Sequence, residues 1–383
     1  METPRIYFDN NATTPLAPQV RAQLATWAEA FGNPSSIHWA GRGPKALIRE
    51  ARRNFADLIG AETLEIIFTA TGSEANNHAL KGIFWSYQKS KSPRNHYLIS
   101  AVEHPSILRA AEFLRDQGAE VEIFPVGRGG AVDLIDFEKR LRPTTALVSM
   151  MFANNETGTL FPIKKMAKLT HQVGALFHSD CVQSLGKSLI NVKDLGVDLA
   201  TFSGHKFYSL KGAGALYSQR GTKIESLIHG GGQERHRRAG TENVLAIASL
   251  GAMALEKNNL PEKLQHLNLL RDHFEGRVLG EIEHVIVTGL KTKRVPNTSS
   301  LVLDQVGGES LLMNLDMQGF AVSTGAACSS GSPEPSPALI AMGLTRLEAQ
   351  SSLRVSFGWQ NTLDEVNAFV EVLKKNRFSY SRI

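Results

Sequence analysis

Short apolar runs that alternate with longer amphipathic segments constrain most strongly how this chain can fold. The runs lie at residues 65–69, 96–100, 120–124, 145–152, 175–179 and 198–202. Such runs, each followed by polar residues, are typical of buried strands in a parallel sheet. The alternation predicts an α/β fold with a mostly parallel sheet and right-handed crossovers. The run at 213–217 follows too closely for a crossover helix, so we predict that it is antiparallel.

A length of 383 residues predicts more than one domain. Helices are predicted over residues 19–31 and 44–59, and a proline-containing break occurs at Asn258–Pro261. The segment after this break contains short strands and a helix whose apolar face consists of Leu267, Leu270, Phe274 and Val278. We therefore predict an N-terminal arm (1–15) that packs on the small domain, a large domain (16–260) and a smaller α+β domain (261–383).

Composition excludes several functional classes. The formal charge is +5, from 42 Lys and Arg against 37 Asp and Glu, and no long basic block predicts nucleic-acid binding. With only two cysteines, Cys181 and Cys328, a disulfide framework is excluded and a reducing compartment is expected. The first residues have no apolar signal core, and no run approaches the roughly 18 apolar residues of a membrane span. We expect a cytoplasmic protein without membrane contact.

Polar residues follow two of the predicted strands at the points where the strands end. They are Asp180, Gln183, Ser203, His205 and Lys206. Ligands of α/β sheets bind outside the carboxyl ends of the strands, so these side chains are expected to converge on one small molecule. An acid, a hydroxyl, an imidazole and a lysine amine together suit pyridoxal phosphate. Taken singly, each would be an ordinary surface residue.

Three loops carry further candidates. Gly72 and Ser73 lie between a strand and a helix, where free N–H groups can bind an anion, although an ordinary helix cap has the same pattern. The glycine-rich segment 230–241 has four basic side chains, which suit a phosphate or a neighbouring subunit, or simply solvent. Segment 323–337 has small residues and three prolines, so we expect a mobile, exposed loop without regular structure and a reactive thiol at Cys328.

Together these motifs resemble the cysteine desulfurases of the NifS/IscS type, which are fold type I pyridoxal-phosphate enzymes of the class V aminotransferase family. The matching motifs cover residues 9–15, 32–38, 103–104, 154–156, 180–183, 203–206, 229–235 and 238–241 and the loop that carries Cys328. The resemblance implies a mostly parallel seven-stranded sheet in the large domain. Segment Thr69–Ala75 departs from the family pattern, because its glycine is displaced by one position. This leaves the detailed phosphate contacts open.

The resemblance also implies roles for individual residues. Lys206 would tether pyridoxal phosphate and later move a proton, Asp180 would pair with the ring nitrogen, and His104 would stack on the ring and shuttle protons. Gln183 would reach the ring oxygen and Asn155 the ring side. Phosphate ligands would be Gly72, Ser73, Ser203 and His205, with Thr241 contributed by the second subunit of a homodimer. The substrate would be bound by Arg354, Asn33 and Asn155.

The reaction implied is conversion of L-cysteine to alanine. Cys328 would attack the substrate sulfur and carry it as a persulfide to an iron–sulfur scaffold protein or another sulfur acceptor. The resemblance implies no resident metal, with Cys328 as a transient ligand of an iron–sulfur cluster at most.

Two alternatives stay open at this point. The chain could be another pyridoxal-phosphate enzyme of the same fold, such as a selenocysteine lyase or an aminotransferase. It could also be a non-catalytic protein of the sulfur pathway. Cys328 argues against an aminotransferase, which has no use for that thiol, and the intact Lys206, Asp180 and His104 argue against a non-catalytic protein.

Overall fold

The computed structural model describes residues 5–304, 306–324, 326–329 and 332–380. Its strands are β1 (Ile6–Tyr7), β2 (Ile66–Thr69), β3 (His96–Ser100), β4 (Glu120–Phe124), β5 (Thr145–Ser149), β6 (Leu176–Asp180), β7 (Leu199–Ser203), β8 (Gly214–Ser218), β9 (Val285–Val287), β10 (Thr298–Leu303), β11 (Phe320–Ala321), β12 (Ser323–Thr324), β13 (Ala326–Ser329), β14 (Ser332–Pro335) and β15 (Ser352–Ser356).

The helices complete the layered arrangement. They are α1 (Pro18–Ala28), α2 (Trp39–Ile59), α3 (Gly72–Lys89), α4 (Pro105–Asp116), α5 (Leu134–Arg140), α6 (Ile163–Gln172), α7 (Val192–Leu195), α8 (Gln233–His236), α9 (Val244–Ala254), α10 (Leu260–Glu281), α11 (Gly308–Met317), α12 (Pro337–Ala341), α13 (Arg346–Gln350) and α14 (Leu363–Tyr380). Within the described ranges, none of these helices is both long and apolar enough to cross a membrane.

A seven-stranded sheet forms the centre of the molecule, in the order β2-β8-β7-β6-β5-β3-β4. Strands β7, β6, β5, β3 and β4 pair in parallel, whereas β8 pairs antiparallel with both β2 and β7. The strands predicted for this sheet and the antiparallel direction of β8 are therefore confirmed. Consequently β2, β3, β5, β6 and β7 all end at the same edge of the sheet.

Alternating side chains bury both faces of this sheet. Ile67, Tyr97 and Leu147 pack with residues of α3 and α4 on one face. Phe68 and Val148 pack with residues of α2, α6 and α9 on the other. Because helices cover both faces, only the strand ends remain open for a ligand.

A second, antiparallel sheet has the order β12-β15-β10-β9. Its core contains the predicted apolar face of α10, since Leu267, Leu270, Phe274 and Val278 are each at most 1% exposed. Residues of α11 and α14 belong to the same core, so this part of the chain has the α+β character expected of it.

The N-terminal arm packs on this second sheet. Strand β1 pairs in parallel with β11, and Asp9 forms a bridge to Ser356 of β15. Phe8 is fully buried in the core of the small sheet, against Phe357 and Phe369. Residues of the arm thus contact the small sheet, and the predicted division into an arm and two domains, with boundaries at residues 15 and 260, stays a prediction.

Two expectations from the sequence were wrong. Helix α2 begins at Trp39, so Pro44 lies inside it and not at its start. Proline lacks only one helical hydrogen bond, and the hydrogen bonds of one further helical turn before it outweigh that loss.

Segment 323–337 contains regular structure in its described part, because β13 and β14 form an antiparallel ribbon and β12 joins the small sheet. Pro333 and Pro335 are compatible with a two-stranded ribbon, whose outer edges need no N–H donor. The side chain of Cys328 falls outside what the structure describes.

A buried ion pair fixes the glycine-rich segment 230–241. Arg52 of α2 donates two hydrogen bonds to Glu234, at 2.6 and 2.8 Å, and the backbone N–H of Phe68 donates a third at 2.9 Å. Glu234 adopts a left-handed backbone with a φ of 46°, which is unusual for a residue other than glycine. Arg238 pairs with Glu74 of α3 at 2.8 Å. The segment is therefore anchored to α2, β2 and α3, and its predicted phosphate or partner subunit remains a prediction.

We expect Glu234→Ala to lower the free energy of unfolding by roughly 3–5 kcal/mol, because it leaves the Arg52 guanidinium buried without its partner. Urea unfolding of the cofactor-free protein, followed by circular dichroism, measures this change. Glu112→Ala removes one partner of the exposed Arg109–Glu112 pair and should change the unfolding midpoint little. Equal midpoints for the two variants would contradict the assigned role of the buried pair.

Candidate active site

A cavity of about 370 Å³ lies at the common carboxyl edge of the large sheet. Residues that follow five strands line it: Thr71 to Ser73 after β2, His104 after β3, Asn155 after β5, Gln183 after β6 and Lys206 after β7. Ten predicted site residues meet here, namely Gly72, Ser73, His104, Asn155, Asp180, Gln183, Ser203, His205, Lys206 and Arg354. The strand-end rule therefore brings these residues to one cavity, and their roles stay predictions.

The first turn of α3 forms one wall of the cavity. Thr71 caps this helix, and its hydroxyl accepts from the backbone N–H of Glu74 at 3.0 Å. A Cβ on Gly72 would lie 3.0 Å from Val182 Cγ2 and 3.3 Å from Ser203 Cβ, so glycine allows α3 to approach the ends of β6 and β7 closely. The helix N-terminus with Ser73 and Ser203 beside it is suited to an anion.

His205 adds a neutral donor or acceptor to this anion site. Burial, followed by the charge of Lys206, lowers the pKa of His205 to about 4. Its Nδ1 lies 3.1 Å from the hydroxyl of Thr13. The imidazole is therefore uncharged at neutral pH and is oriented by the N-terminal arm.

Asp180 is a buried carboxylate held in a fixed orientation. One oxygen accepts from the side-chain amide of Asn76 at 2.7 Å and the other from the backbone N–H of Val182 at 2.9 Å. Asn76 is itself 1% exposed, and its Oδ1 lacks a partner among the described residues. Sequence reasoning missed Asn76, because inside a helix an asparagine carries no local signal of its partner 104 residues away.

Lys206 presents a buried amine to the cavity. Its Nζ donates to the backbone carbonyls of Asn11 at 2.7 Å and Ala12 at 2.5 Å. Burial, followed by the nearby charge of Arg354, lowers the pKa of Lys206 to about 8, against the opposing effect of Asp9 and Asp180. This amine therefore loses its proton more readily than an ordinary lysine, as a nucleophile or general base requires.

His104 lies at the start of α4 with one ring nitrogen fixed. Its Nδ1 accepts from the backbone N–H of Ser106 at 3.1 Å. The neutral ring therefore carries its proton on Nε2. Burial lowers the pKa of His104, although the charge of Asp180 opposes this.

The side chain of Glu103, next to His104 in the chain, links the ends of two neighbouring strands. Its Oε1 accepts from the hydroxyl of Ser100 at 2.9 Å and from the backbone N–H of Met151 at 2.6 Å. Burial, followed by repulsion from Asp180, raises the pKa of Glu103 to about 8. The carboxyl group thus ties the ends of β3 and β5 together without adding a full negative charge at neutral pH.

Asn11 is the most connected residue of the site, and sequence reasoning did not select it individually. Its carbonyl accepts from Lys206 and from Gln183 Nε2, and its Oδ1 accepts from Lys187 Nζ at 2.8 Å. Its Nδ2 donates to the carbonyl of Asn155 at 3.1 Å and to the hydroxyl of Thr298 at 2.8 Å. The motif at residues 9–15 predicts an ordered arm, but the sequence does not show which distant residues Asn11 contacts.

Arg354 places a guanidinium group in the cavity wall. It donates to Asp9 Oδ1 at 2.7 Å and to the carbonyl of Asn155 at 3.1 Å. Its Nε has no hydrogen-bond partner among the described residues. The group is held firmly in place and keeps donor capacity for a carboxylate.

The turn that carries Asn155 also reaches the small domain. Asn154 Oδ1 accepts from the backbone N–H groups of Glu156 and Thr157, at 2.9 and 3.0 Å. Glu156 Oε1 accepts from the hydroxyl of Ser336 at 2.6 Å, and Ser336 caps helix α12 directly after β14. Burial raises the pKa of Glu156. The ribbon β13–β14 is thus bonded at its base to the turn that contacts Arg354.

Two predicted site residues are not brought to this cavity. Asn33 and Thr241 are exposed and line a separate cavity near Trp27 and Phe31. The loop of Asn33 packs closely against α2. A Cβ on Gly32 would lie only 2.0 Å from a backbone oxygen of that helix, so glycine is needed for this close contact. Within one chain, Asn33 does not assist Arg354. The thiol of Cys328 lies outside the described side chains.

A family model described as aminotransferase class-V matches residues 6–369. A cysteine desulfurase IscS from Dictyoglomus turgidum is 43% identical over 372 residues, covering 97% of this chain and 94% of that protein. A solved structure titled NifS-like protein has a TM-score of 0.90 at 33% identity and covers 97% of this chain and 99% of its own. Another, titled SspA in complex with cysteine, has a TM-score of 0.79 at 30% identity and covers 92% of this chain and 98% of its own.

The large sheet thus has a lysine and an aspartate in one cavity at its carboxyl edge. The chain is an enzyme of the class-V aminotransferase family. Within that family, its relatives place it among the cysteine desulfurases of the IscS and NifS type. The resemblance inferred from the sequence motifs is therefore confirmed.

The environment of Lys206 predicts its reactivity. In the cofactor-free protein, acetylation of Lys206 should rise with pH through a midpoint near 8, because only the uncharged amine reacts. Arg354→Met removes a neighbouring positive charge and should move that midpoint upward. Competitive labelling with acetic anhydride, read by peptide mass spectrometry, measures both. Arg109→Met, which removes an exposed arginine outside the cavity, serves as the matched control and should leave the midpoint in place.

Proposed function

We propose that this chain is a pyridoxal-phosphate-dependent cysteine desulfurase that converts L-cysteine to alanine and carries the sulfur on Cys328. The observation that carries the proposal is that Lys206 and Arg354 face one cavity in a member of the cysteine desulfurase group. A lysine suits an aldehyde cofactor, and a guanidinium suits the carboxylate of an amino acid.

The residues present fit pyridoxal phosphate. Its phosphate would fit at the N-terminus of α3, where Gly72 allows a close approach and Ser73 and Ser203 supply hydroxyl groups. The fixed carboxylate of Asp180 suits its ring nitrogen, and His104 lines the same cavity. When bound, the cofactor withdraws electrons from the Cα of the substrate.

The protein's own groups would then orient the substrate and move protons. Arg354 would hold the substrate carboxylate with its remaining donor capacity while Asp9 keeps the guanidinium in position. Lys206, with its pKa lowered to about 8, would take the proton from Cα. His104, whose Nδ1 is fixed by Ser106, would exchange a proton through Nε2.

Sulfur transfer requires a thiolate, which we assign to Cys328. The Cys328 thiolate would attack the sulfur atom of the substrate and form an S–S bond while the C–S bond breaks. The electron pair of the broken bond stays with the carbon skeleton, which is protonated and leaves as alanine. The sulfur remains on Cys328 as a persulfide until a second thiol removes it. Cys181 does not suit this role, because it is fully buried and burial raises its pKa to about 12.

The partners follow from the same assignment. We propose a homodimer in which Thr241 of one chain completes the phosphate site of the other, because Thr241 is exposed and outside the cavity of its own chain. The acceptor would be an iron–sulfur scaffold protein or another sulfur carrier, since relatives bear the name IscS. A chain with two cysteines, one of them a free and buried thiol, fits a cytoplasmic location.

Cys328→Ala should bind L-cysteine but release neither alanine nor sulfide, because the acceptor thiolate is gone. After incubation of the unsubstituted protein with cysteine, the peptide that contains Cys328 should gain the mass of one sulfur atom. Cys181→Ser is the matched control and should keep the activity, since that thiol is buried outside the cavity. Full sulfur release by Cys328→Ala would refute the assignment, and amino transfer to a keto acid would favour an aminotransferase.

Arg354→Lys should raise the KM for cysteine on the order of tenfold to a hundredfold, because an ammonium group cannot reproduce the planar donor set of guanidinium. Steady-state kinetics of alanine formation measures the effect. Binding of cysteamine, which lacks the carboxylate, should differ little between the two proteins. A similar loss of cysteamine binding would show that Arg354 does not act on the carboxylate.

A further inference from the structure

Lys187 is a buried lysine beside the cavity that has no part in the chemistry above. It is 5% exposed, and its Nζ donates to Gln183 Oε1 at 2.6 Å and to Asn11 Oδ1 at 2.8 Å. Both partners are amide oxygens. Burial, together with the charges of Lys206 and Arg354, lowers its pKa well below the usual value, with Asp9 opposing. Burying a lysine amine without a carboxylate partner lowers the free energy of unfolding, which indicates that this lysine has a specific role.

The local fold directs this side chain back toward Gln183. Backbone N–H groups of Ser184, Leu185 and Lys187 close successive tight turns after Cys181. Gly186 has a φ of 73°, and a Cβ there would lie 2.3 Å from the ring of Phe207. Only glycine fits this position, and it lets the chain reverse so that residues 183 and 187 share one side.

A lysine determines which way a neighbouring amide points. Its ammonium or amine hydrogens need an acceptor, so the oxygen of Gln183 must face Lys187. The amide nitrogen then points the other way, where it donates to the carbonyl of Asn11 at 3.0 Å on the cavity side. The Lys187 amine and the Asn11 carbonyl therefore favour the same orientation of this amide, one from each end.

We propose that Lys187 is a positioning residue that holds the Gln183 amide with its N–H donor, not its carbonyl, toward the ring oxygen of the bound cofactor. The inference rests on the proposed function and adds a residue that acts through Gln183. A donor at this point stabilises negative charge on the ring oxygen, whereas a carbonyl would repel it. The charged or titratable groups around it are Asp9, Asp180, His205, Lys206 and Arg354, all of which remain in the variants below.

We propose to load the protein with pyridoxal phosphate and to measure the pH at which its visible absorbance band changes. This measurement tests the inference without an activity assay. Lys187→Met removes one of the two contacts that orient the Gln183 amide and weakens donation to the ring oxygen, so that pH should rise by about one unit. Lys211→Met is the matched control, because it removes a positive charge near His205 from outside the cavity, and its band should stay in place. An unshifted band in Lys187→Met would overturn the inference.

A double-variant cycle separates orientation of the amide from the charge of Lys187 itself. Gln183→Leu should raise the band's titration pH, and adding Lys187→Met should then change it little further. Additive shifts would mean that Lys187 acts by charge, against the proposal. If Lys187→Met does not fold, Lys187→Gln, whose amide can offer Gln183 either a donor or an acceptor and so no longer fixes its orientation, should show a rise in the same direction. An unchanged band there would also overturn the inference. A wild-type protein that develops no visible band with pyridoxal phosphate would refute the proposed function instead.

Discussion

The active site depends on a single crossing point, where the N-terminal arm passes between the two sheets at Asn11. The backbone N–H of this residue bonds Ser356, its side chain bonds Thr298, and its carbonyl accepts from Lys206. A backbone carbonyl moves only with its chain, so the position of the Lys206 amine is tied to the pairing of β1 with β11. The arm therefore positions Lys206, although it contributes little to the apolar core of the large sheet.

Much of the fold and of the site was accessible from sequence, for a physical reason. Strands buried on both faces must be largely apolar along their length, so the run that became β3 was found with its correct limits. Parallel strands end at one edge, so Asp180 and Lys206 could be placed together without coordinates. Most of the predicted residues that line the cavity lie at or just after strand ends, and their roles stay predictions.

The residues that were missed act through partners distant in sequence. Asn76 lies in the middle of an unremarkable helical pattern and acquires its role only when α3 lies beside Asp180. Lys187 would be classed as a surface charge from sequence alone, because nothing local indicates that Asn11 covers it. The ribbon of β13 and β14 was missed because its prolines suggested irregular structure, whereas a two-stranded ribbon leaves N–H positions that need no partner.

The hydrogen bond between Glu156 and Ser336 has a consequence for how this scaffold can diversify. The strand pair β13–β14 is bonded at Ser336 to the turn beside Arg354. Changes of sequence in β13 and β14 away from Ser336 would leave this bond undisturbed. The ribbon can therefore diverge in sequence while the wall of the cavity beside Arg354 is kept.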